Sequence, residues 1–258
     1  VSRKPGTAKD ERWGERARVA LSTLNSRWLF DLEQGDPITM ATFGVKNYDD
    51  YWKARKAAGK TKATLTHWRI VELIRHYVDQ GAKILDCGVG PGQCYKLLAP
   101  DYEMYGVELS SEAIALYEFD TARIKQANLN DGIPDFGVRF DGIVASMVIH
   151  HLEDPLNFLN QVWDRLAPNG YFLAVHPNIS YYKFRLDYLF KGTFPPISLA
   201  HRIFVPPHEF RVLLEKANLE IIKTTSSKPK MRARRWPHLF SQDLFCMCRI
   251  RKKSRDPS

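Results

Sequence analysis

The sequence predicts an α/β fold: a seven-stranded, mostly parallel sheet with helices on both faces and a final antiparallel strand. Three observations carry this prediction. From residue 83 onward, short apolar runs alternate with helical stretches, the pattern of buried parallel strands joined by crossover helices. One run, Ile84-Leu85-Asp86-Cys87, leads straight into Gly88-Val89-Gly90-Pro91-Gly92, a glycine turn that opens a helix. Near the end, two apolar runs over 219–225 and 243–251 follow one another with no helical pattern between them. Such a pair should be antiparallel, because a parallel pair needs a long crossover.

Each element has its own signal. Leu21, Leu24, Trp28 and Leu32 recur at helical spacing, predicting an amphipathic helix over 11–33 that Gly35-Asp36-Pro37 breaks. Residues 1–45 therefore read as an accessory helical or flexible segment, and 46–251 as the main domain. Trp68, Ile70, Val71, Ile74 and Val78 mark a helix over 64–80 that stops at Gly81. The expected order continues with strand 83–87, helix 92–99, strand 103–109, helix 111–118, strands 122–127 and 140–146, helix 155–166 and strand 170–176. An insertion over 178–206 separates these from a helix over 207–217 and the last strand pair. Residues 252–258 form a basic tail.

Composition limits the function classes. With 258 residues and 44% hydrophobic content, the chain is large enough to bury a core of its own and too apolar to be disordered throughout. No run of about 18 apolar residues exists to form a membrane-spanning helix. Arg12, Glu15, Arg16 and Arg18 stand where a signal peptide would be apolar, so the expected compartment is the cytoplasm. Of the net charge of +9, most lies from Lys228 onward, where ten basic residues face two acidic ones. A nucleic-acid surface and a solvated tail both fit such a segment. Cys87, Cys94, Cys246 and Cys248 form no Cys-x-x-Cys pair, and no second Cys/His cluster completes a metal site. Cys246 and Cys248 share one strand face and read as packed thiols.

The glycine turn is the sharpest motif. A dinucleotide loop would need glycine where Gln93 stands, and the lysine of a phosphate loop is absent. The spacing is instead G-x-G-x-G, preceded by Asp86. The next strand ends Tyr105-Gly106-Val107-Glu108, placing a carboxylate where it can accept hydrogen bonds from the vicinal hydroxyls of a ribose. Asn128-Leu129 follows the third strand, and Ser146-Met147 closes the fourth.

Taken in order, these residues resemble the class I S-adenosylmethionine-dependent methyltransferases of the type 11/12-like kind, over about residues 48–250. The resemblance implies a Rossmann-like sheet with S-adenosyl-L-methionine as cofactor. Asp86, Gly88, Gly90 and Gly92 would border its methionine part, Glu108 and Leu109 its ribose, and Asn128 and Leu129 its adenine. Asn128 stands where the family usually has aspartate. Ser146, Met147 and Tyr51 complete the expected cofactor-side set.

On the acceptor side, His150 and His151 follow the fourth strand in a run seen across small-molecule methyltransferases, and with His201 they are the candidate catalytic residues. The spacing of Asn178, Arg185, Gly192-x-Phe194 and His201-Arg202-x-Phe204 resembles a subgroup containing the methionine-biosynthesis W protein and methyltransferases of glycan or lipid assembly. Tyr181, Tyr182, Arg185, Arg202, Arg232 and Arg235 are the substrate-side candidates. The expected activity is transfer of a methyl group to an oxygen or nitrogen of a small-molecule or glycan/lipid-linked acceptor. Arginine forks suit an anionic group on it. A nucleic-acid methyltransferase is the alternative that the basic segment suggests. The Asn/Asp-Pro-Pro-aromatic turn that would hold a flipped base is missing after strand four, so nucleic acid is not the expected partner. A cofactor-binding regulatory partner with little turnover is the third reading.

Overall fold

The computed structural model describes residues 48–192, 205–227 and 231–251. The expected helix over 11–33 and the candidates His201 and Arg202 lie outside these residues.

Helix α1 (Tyr48–Ala57) and α2 (Leu65–Tyr77) lead into β1 (Lys83–Cys87). There follow α3 (Gln93–Leu98), β2 (Glu103–Glu108), α4 (Ser111–Ile114), β3 (Ile124–Gln126) and β4 (Phe140–Ser146). A 3-10 turn over Ile149–His151 precedes α5 (Pro155–Arg165), β5 (Leu166–Pro177) and α6 (Tyr182–Lys191). The chain finishes with α7 (Pro207–Lys216), β6 (Leu219–Thr225), α8 (Met231–Arg235), α9 (Pro237–Phe240) and β7 (Asp243–Ile250).

The seven strands lie in the order β3-β2-β1-β4-β5-β7-β6. All pairs from β3 to β5 are parallel, and β7 runs antiparallel to both β5 and β6. Two antiparallel pairings turn β6 back into the direction of the core strands. Its end, like those of β1 to β5, therefore reaches the carboxyl edge, where open sheets of this type bind ligands.

Alternation along the strands sorts side chains into two cores. Ile84, Met104, Val144, Leu173, Val175, Phe245 and Met247 face α2 and α3. Leu85, Tyr105, Ile143, Phe172, Ala174, Cys246 and Cys248 face α5 and α7. Cys246 and Cys248 thus share a face as expected, and all four cysteines are free and buried. Burial on both faces is why the central strands read as continuous apolar runs. No described helix is long and apolar enough to cross a membrane.

Two expectations need correction. The helix expected over 111–118 ends at Ile114, because Tyr117 and Phe119 stack on each other with centroids 4.9 Å apart. Residues two apart point to different sides of a helix, so the chain leaves the helix to bring them together. The connection between the last two strands was expected to lack helices, yet it holds α8 and α9. Five and four residues long, they are too short to show a helical period.

Candidate functional site

The glycine turn takes the form that its sequence requires. Gly88, Gly90 and Gly92 have φ of 80°, 57° and 80°, a left-handed conformation that a side chain disfavours by about 1–2 kcal/mol. A Cβ on Gly88 would also lie 2.5 Å from Val148 Cγ2. The turn brings backbone to the carboxyl edge between β1 and β4.

Two carboxylates lie behind it. Glu108 is buried at the end of β2, where the Gly90 amide donates to one carboxylate oxygen at 2.7 Å and the Ser110 amide to the other at 2.8 Å. Burial pushes Glu108 above the usual carboxylate range, opposed by the Ser110, Gly90 and Leu109 amides. Asp86, at 3% exposure, has no such compensation: burial, then the charge on Glu108, pushes it up to about 8. An acid so displaced is a site poised for a cation.

Near these groups lies a residue that the sequence did not single out. The Tyr117 hydroxyl oxygen is buried without a hydrogen bond, and burial, then Glu108 and Asp86, pushes its acidity down and its pKa up. Its ring ends a stack running from Tyr95 through Phe119, with centroids 4.8 and 4.9 Å apart. Phe119 and Tyr117 fill the space above Gly92, 2.7 and 3.2 Å from where a Cβ would stand.

Helix α1 covers the turn. The Trp52 ring lies 3.1 Å from the position of a Gly90 Cβ. Asp49 accepts from the Ser110 hydroxyl and from the Glu112 amide at 3.2 Å, and these bonds hold its carboxylate below the usual range. Lys53 pairs with Glu112 at 3.5 Å. Tyr51 lies edge-on to Trp52 and accepts from Arg55 at 3.2 Å. Thus Trp52, one residue beyond the candidate Tyr51, is the ring that meets the glycine turn.

The remaining cofactor-side candidates gather at the same edge. Leu109 is 42% exposed beside Glu108. Asn128 accepts from the Asn130 amide at 3.0 Å through its side-chain carbonyl, which leaves a second lone pair on that oxygen. Leu129 packs on the core that faces α5 and α7. Ser146 ends β4, and Met147 follows with φ of 58°, its amide donating to the Val175 carbonyl at 2.8 Å. A non-glycine residue in this region is strained, and the strain turns the chain sharply at the edge.

His150 is buried and His151 half-buried, with ring centroids 4.2 Å apart. His151 meets the edge of Tyr48 on α1 at 5.9 Å. A third imidazole stands at the end of β5: His176 is 4% exposed, and its Nδ1 lies 3.0 Å from the Pro177 carbonyl. That bond makes Nδ1 the donor and leaves Nε2 as a bare acceptor, buried without a hydrogen bond. Burial holds His176 down to about 4, so it is neutral near pH 7.

Beyond β5 the acceptor-side candidates split into two groups. Tyr181 and Tyr182 are half-buried and pack edge-on at 5.0 Å. Arg185, Arg232 and Arg235 are exposed. Asn178, a fixed point of the expected motif, is wholly buried. Its Nδ2 donates to the carbonyls of His238 and Ser241 at 2.8 and 2.7 Å, and its Oδ1 accepts from Ser180 at 3.0 Å. Its function is to stitch the start of α6 to α9.

These residues fit S-adenosylmethionine. The left-handed glycine turn, two buried acids and an unsatisfied hydroxyl near them suit a ligand with an ammonium, a sulfonium and a ribose. Among the described residues no cluster of three His, Cys, Asp or Glu side chains could hold a metal.

Comparison with known proteins gives the same answer. A family model for the methyltransferase domain matches residues 58–224. The ubiquinone biosynthesis O-methyltransferase of Dinoroseobacter shibae is 28% identical over 156 residues, covering 55% of this chain and 61% of that protein. The chain thus spans less than two thirds of that relative's length. Among solved structures, an S-adenosylmethionine-dependent methyltransferase from Clostridium acetobutylicum superposes with a TM-score of 0.56 at 13% identity, over 80% of this chain and 99% of that one. The CcbJ methyltransferase of Streptomyces caelestis gives 0.56 at 14% identity, over 74% and 92%. At such identity these structures speak for the fold alone. Matched over more than half its length, the chain belongs to the methyltransferase domain family, and its sheet has the fold of the S-adenosylmethionine-dependent methyltransferases it superposes on.

Proposed function

We propose that the protein methylates an oxygen atom of a small or lipid-linked acceptor bound at the carboxyl edge beside β4 and β5. The observation that carries this reading is the cradle formed by the Gly88–Gly92 turn, Asp86, Glu108 and the Tyr117 hydroxyl. The likeness to an O-methyltransferase supports oxygen as the acceptor atom.

When bound, S-adenosylmethionine supplies a methyl group on a sulfonium, already activated for displacement. Much of the protein's contribution is then positioning, which for well-oriented reactants is worth up to roughly 7–11 kcal/mol. Glu108 accepts from the ribose hydroxyls through the lone pairs that Gly90 and Ser110 leave available. Asp86 faces the cationic end, where its charged form gains what burial takes away. Trp52 excludes water above the turn.

A hydroxyl acceptor must lose a proton, and two imidazoles, His150 and His151, follow β4 at this edge. His151, half-buried beneath Tyr48, takes that proton in our reading, with His150 packed behind it. Arg185 on α6 and Arg232 and Arg235 on α8 are exposed and favour an acceptor with an anionic group.

Isothermal titration tests the first half. Micromolar binding of S-adenosylmethionine and of its demethylated product is the expected result, and no detectable heat with either would overturn the assignment. A methylation screen on phenols, catechols and hydroxylated lipids tests the second half. Product methylated on nitrogen alone would refute the oxygen reading while leaving the cofactor site intact. His151→Ala should lower kcat by about 10²–10⁴-fold as the loss of a general base, and an unaltered kcat would overturn that role.

A further inference from the structure

Helix α6 turns an apolar stripe outward. Of its ten residues only Phe184 is buried, edge-on to Tyr181 at 5.1 Å. At about 100° per residue, Tyr182, Leu186, Leu189 and Phe190 fall within one arc of the helix, and Leu186, Leu189 and Phe190 are 45%, 71% and 72% exposed. The same rotation puts Lys183 on one flank of that arc and Arg185 on the other, both exposed.

The stripe does not stop at the helix. Tyr182 meets Phe240 of α9 at 5.5 Å, and Trp236, 56% exposed, lies 6.3 Å from the same ring. Exposed Arg232 and Arg235 adjoin it on α8. Across 181–192 and 232–241 the sequence holds a single acid, Asp187, and Lys191 neutralises it at 2.7 Å. The patch is therefore apolar and aromatic at its centre, basic at its margins, and without an acid left over.

We propose that α6, α8 and α9 together dock the protein on an anionic lipid bilayer. Leu186, Leu189 and Phe190 enter the boundary between headgroups and acyl chains, and the flanking lysine and arginines meet lipid phosphates. An amphipathic helix with basic flanks and aromatic anchors has this mode of binding. Charge selects the occupant. A second copy of this chain would set like charges against each other across an apolar contact, whereas an anionic surface complements them. Helix α6 starts where β5 ends, and α8 and α9 lie between the end of β6 and the start of β7. Docking would thus present the carboxyl edge of the sheet to the membrane, which suits an acceptor carried in the bilayer. The docking proposal does not depend on the methyl-transfer reading, because its test measures binding.

Vesicle flotation of the full chain is that test. The protein should float with phosphatidylcholine vesicles containing about one third phosphatidylglycerol and stay below with phosphatidylcholine alone. Raising salt from about 0.1 to 0.5 M should weaken flotation several-fold as screening shortens the range of the basic residues. Leu189→Glu with Phe190→Glu should reduce bound protein tenfold or more, and Lys183→Glu several-fold. Cofactor titration of each variant verifies that it is folded. Absence of flotation with anionic vesicles, or flotation that survives Leu189→Glu/Phe190→Glu, would refute the proposal. So would a dimer in sedimentation that these two substitutions dissolve, since the patch would then be a contact between copies.

Discussion

The two halves of the carboxyl edge are built by opposite means. On the β1–β2 side the backbone and Glu108 are fixed from several directions: three left-handed glycines, Glu108 held by two amides, and α1 tied down through Asp49 and Lys53. On the β5–β7 side the polar groups that are fixed, such as Asn178, serve the framework. The candidates for meeting a substrate or a surface, Arg185, Arg232 and Arg235, stand in solvent. One half is preorganised for a ligand of constant shape. The other carries chemistry that a different partner could use with little change to the core.

Substitutions can break or sharpen that contrast. Glu108→Ala should have the largest effect, removing charge-assisted bonds to the ribose and orphaning the Gly90 and Ser110 amides. Titration should show affinity for the demethylated cofactor falling about 10- to 100-fold, from bonds worth roughly 1.5–3 kcal/mol. Gly88→Ala should follow at about tenfold, since a left-handed Cβ costs about 1–2 kcal/mol and Val148 must also move. An unaffected Tm in Gly88→Ala would mean that the turn is less constrained than its φ suggests.

Asp86→Asn sharpens the contrast through pH. The folded protein holds this proton up to about pH 8, whereas an unfolded chain releases it near pH 4. Wild-type stability is therefore lost progressively as pH rises from about 4 through 8. The Tm advantage of Asp86→Asn should emerge above pH 4 and level off beyond pH 8. Cofactor affinity should rise with pH in the wild type and stay flat in the variant. A parallel pH profile for the two proteins would deny Asp86 any part in cation binding.

Tyr117→Phe removes a buried hydroxyl that makes no hydrogen bond. The ligand-free protein should gain about 1 kcal/mol or somewhat more in denaturant unfolding, while cofactor affinity drops several-fold. Equal affinity would show that the hydroxyl points away from the ligand. Asp49→Ala is the mildest, with cofactor dissociation a few-fold faster in stopped flow as α1 loosens.

Why the first half is so legible follows from the same contrast. Gly88, Gly90 and Gly92 are local requirements of backbone geometry, and Glu108 sits at a fixed step past a buried strand, so both stand out in the linear sequence. Strand directions follow from alternation and loop length. Asp49 reaches Ser110 across 61 residues, and no periodicity announces such a contact. Tyr117 became visible only once the chain was seen to leave its helix at Ile114. His176 lay in plain view after Val175, but its meaning depends on the tautomer that Pro177 imposes. The arginine-rich stretch after β6 gave only its charge, because turns of four or five residues leave no pattern.

The position of β7 bears on how the molecule comes into being. Among the described residues, strand β6 pairs with no strand except β7, and β5 has no other neighbour on that side. During synthesis both edges stay open until residues 243–250 emerge, long after the cofactor-side strands have found their partners. A chain cut short before Asp243 would therefore leave β5 with an open edge and β6 without a partner, and open edges are the usual templates for aggregation. Among the described residues β7 acts as the keystone of the sheet, joining β6 to β5.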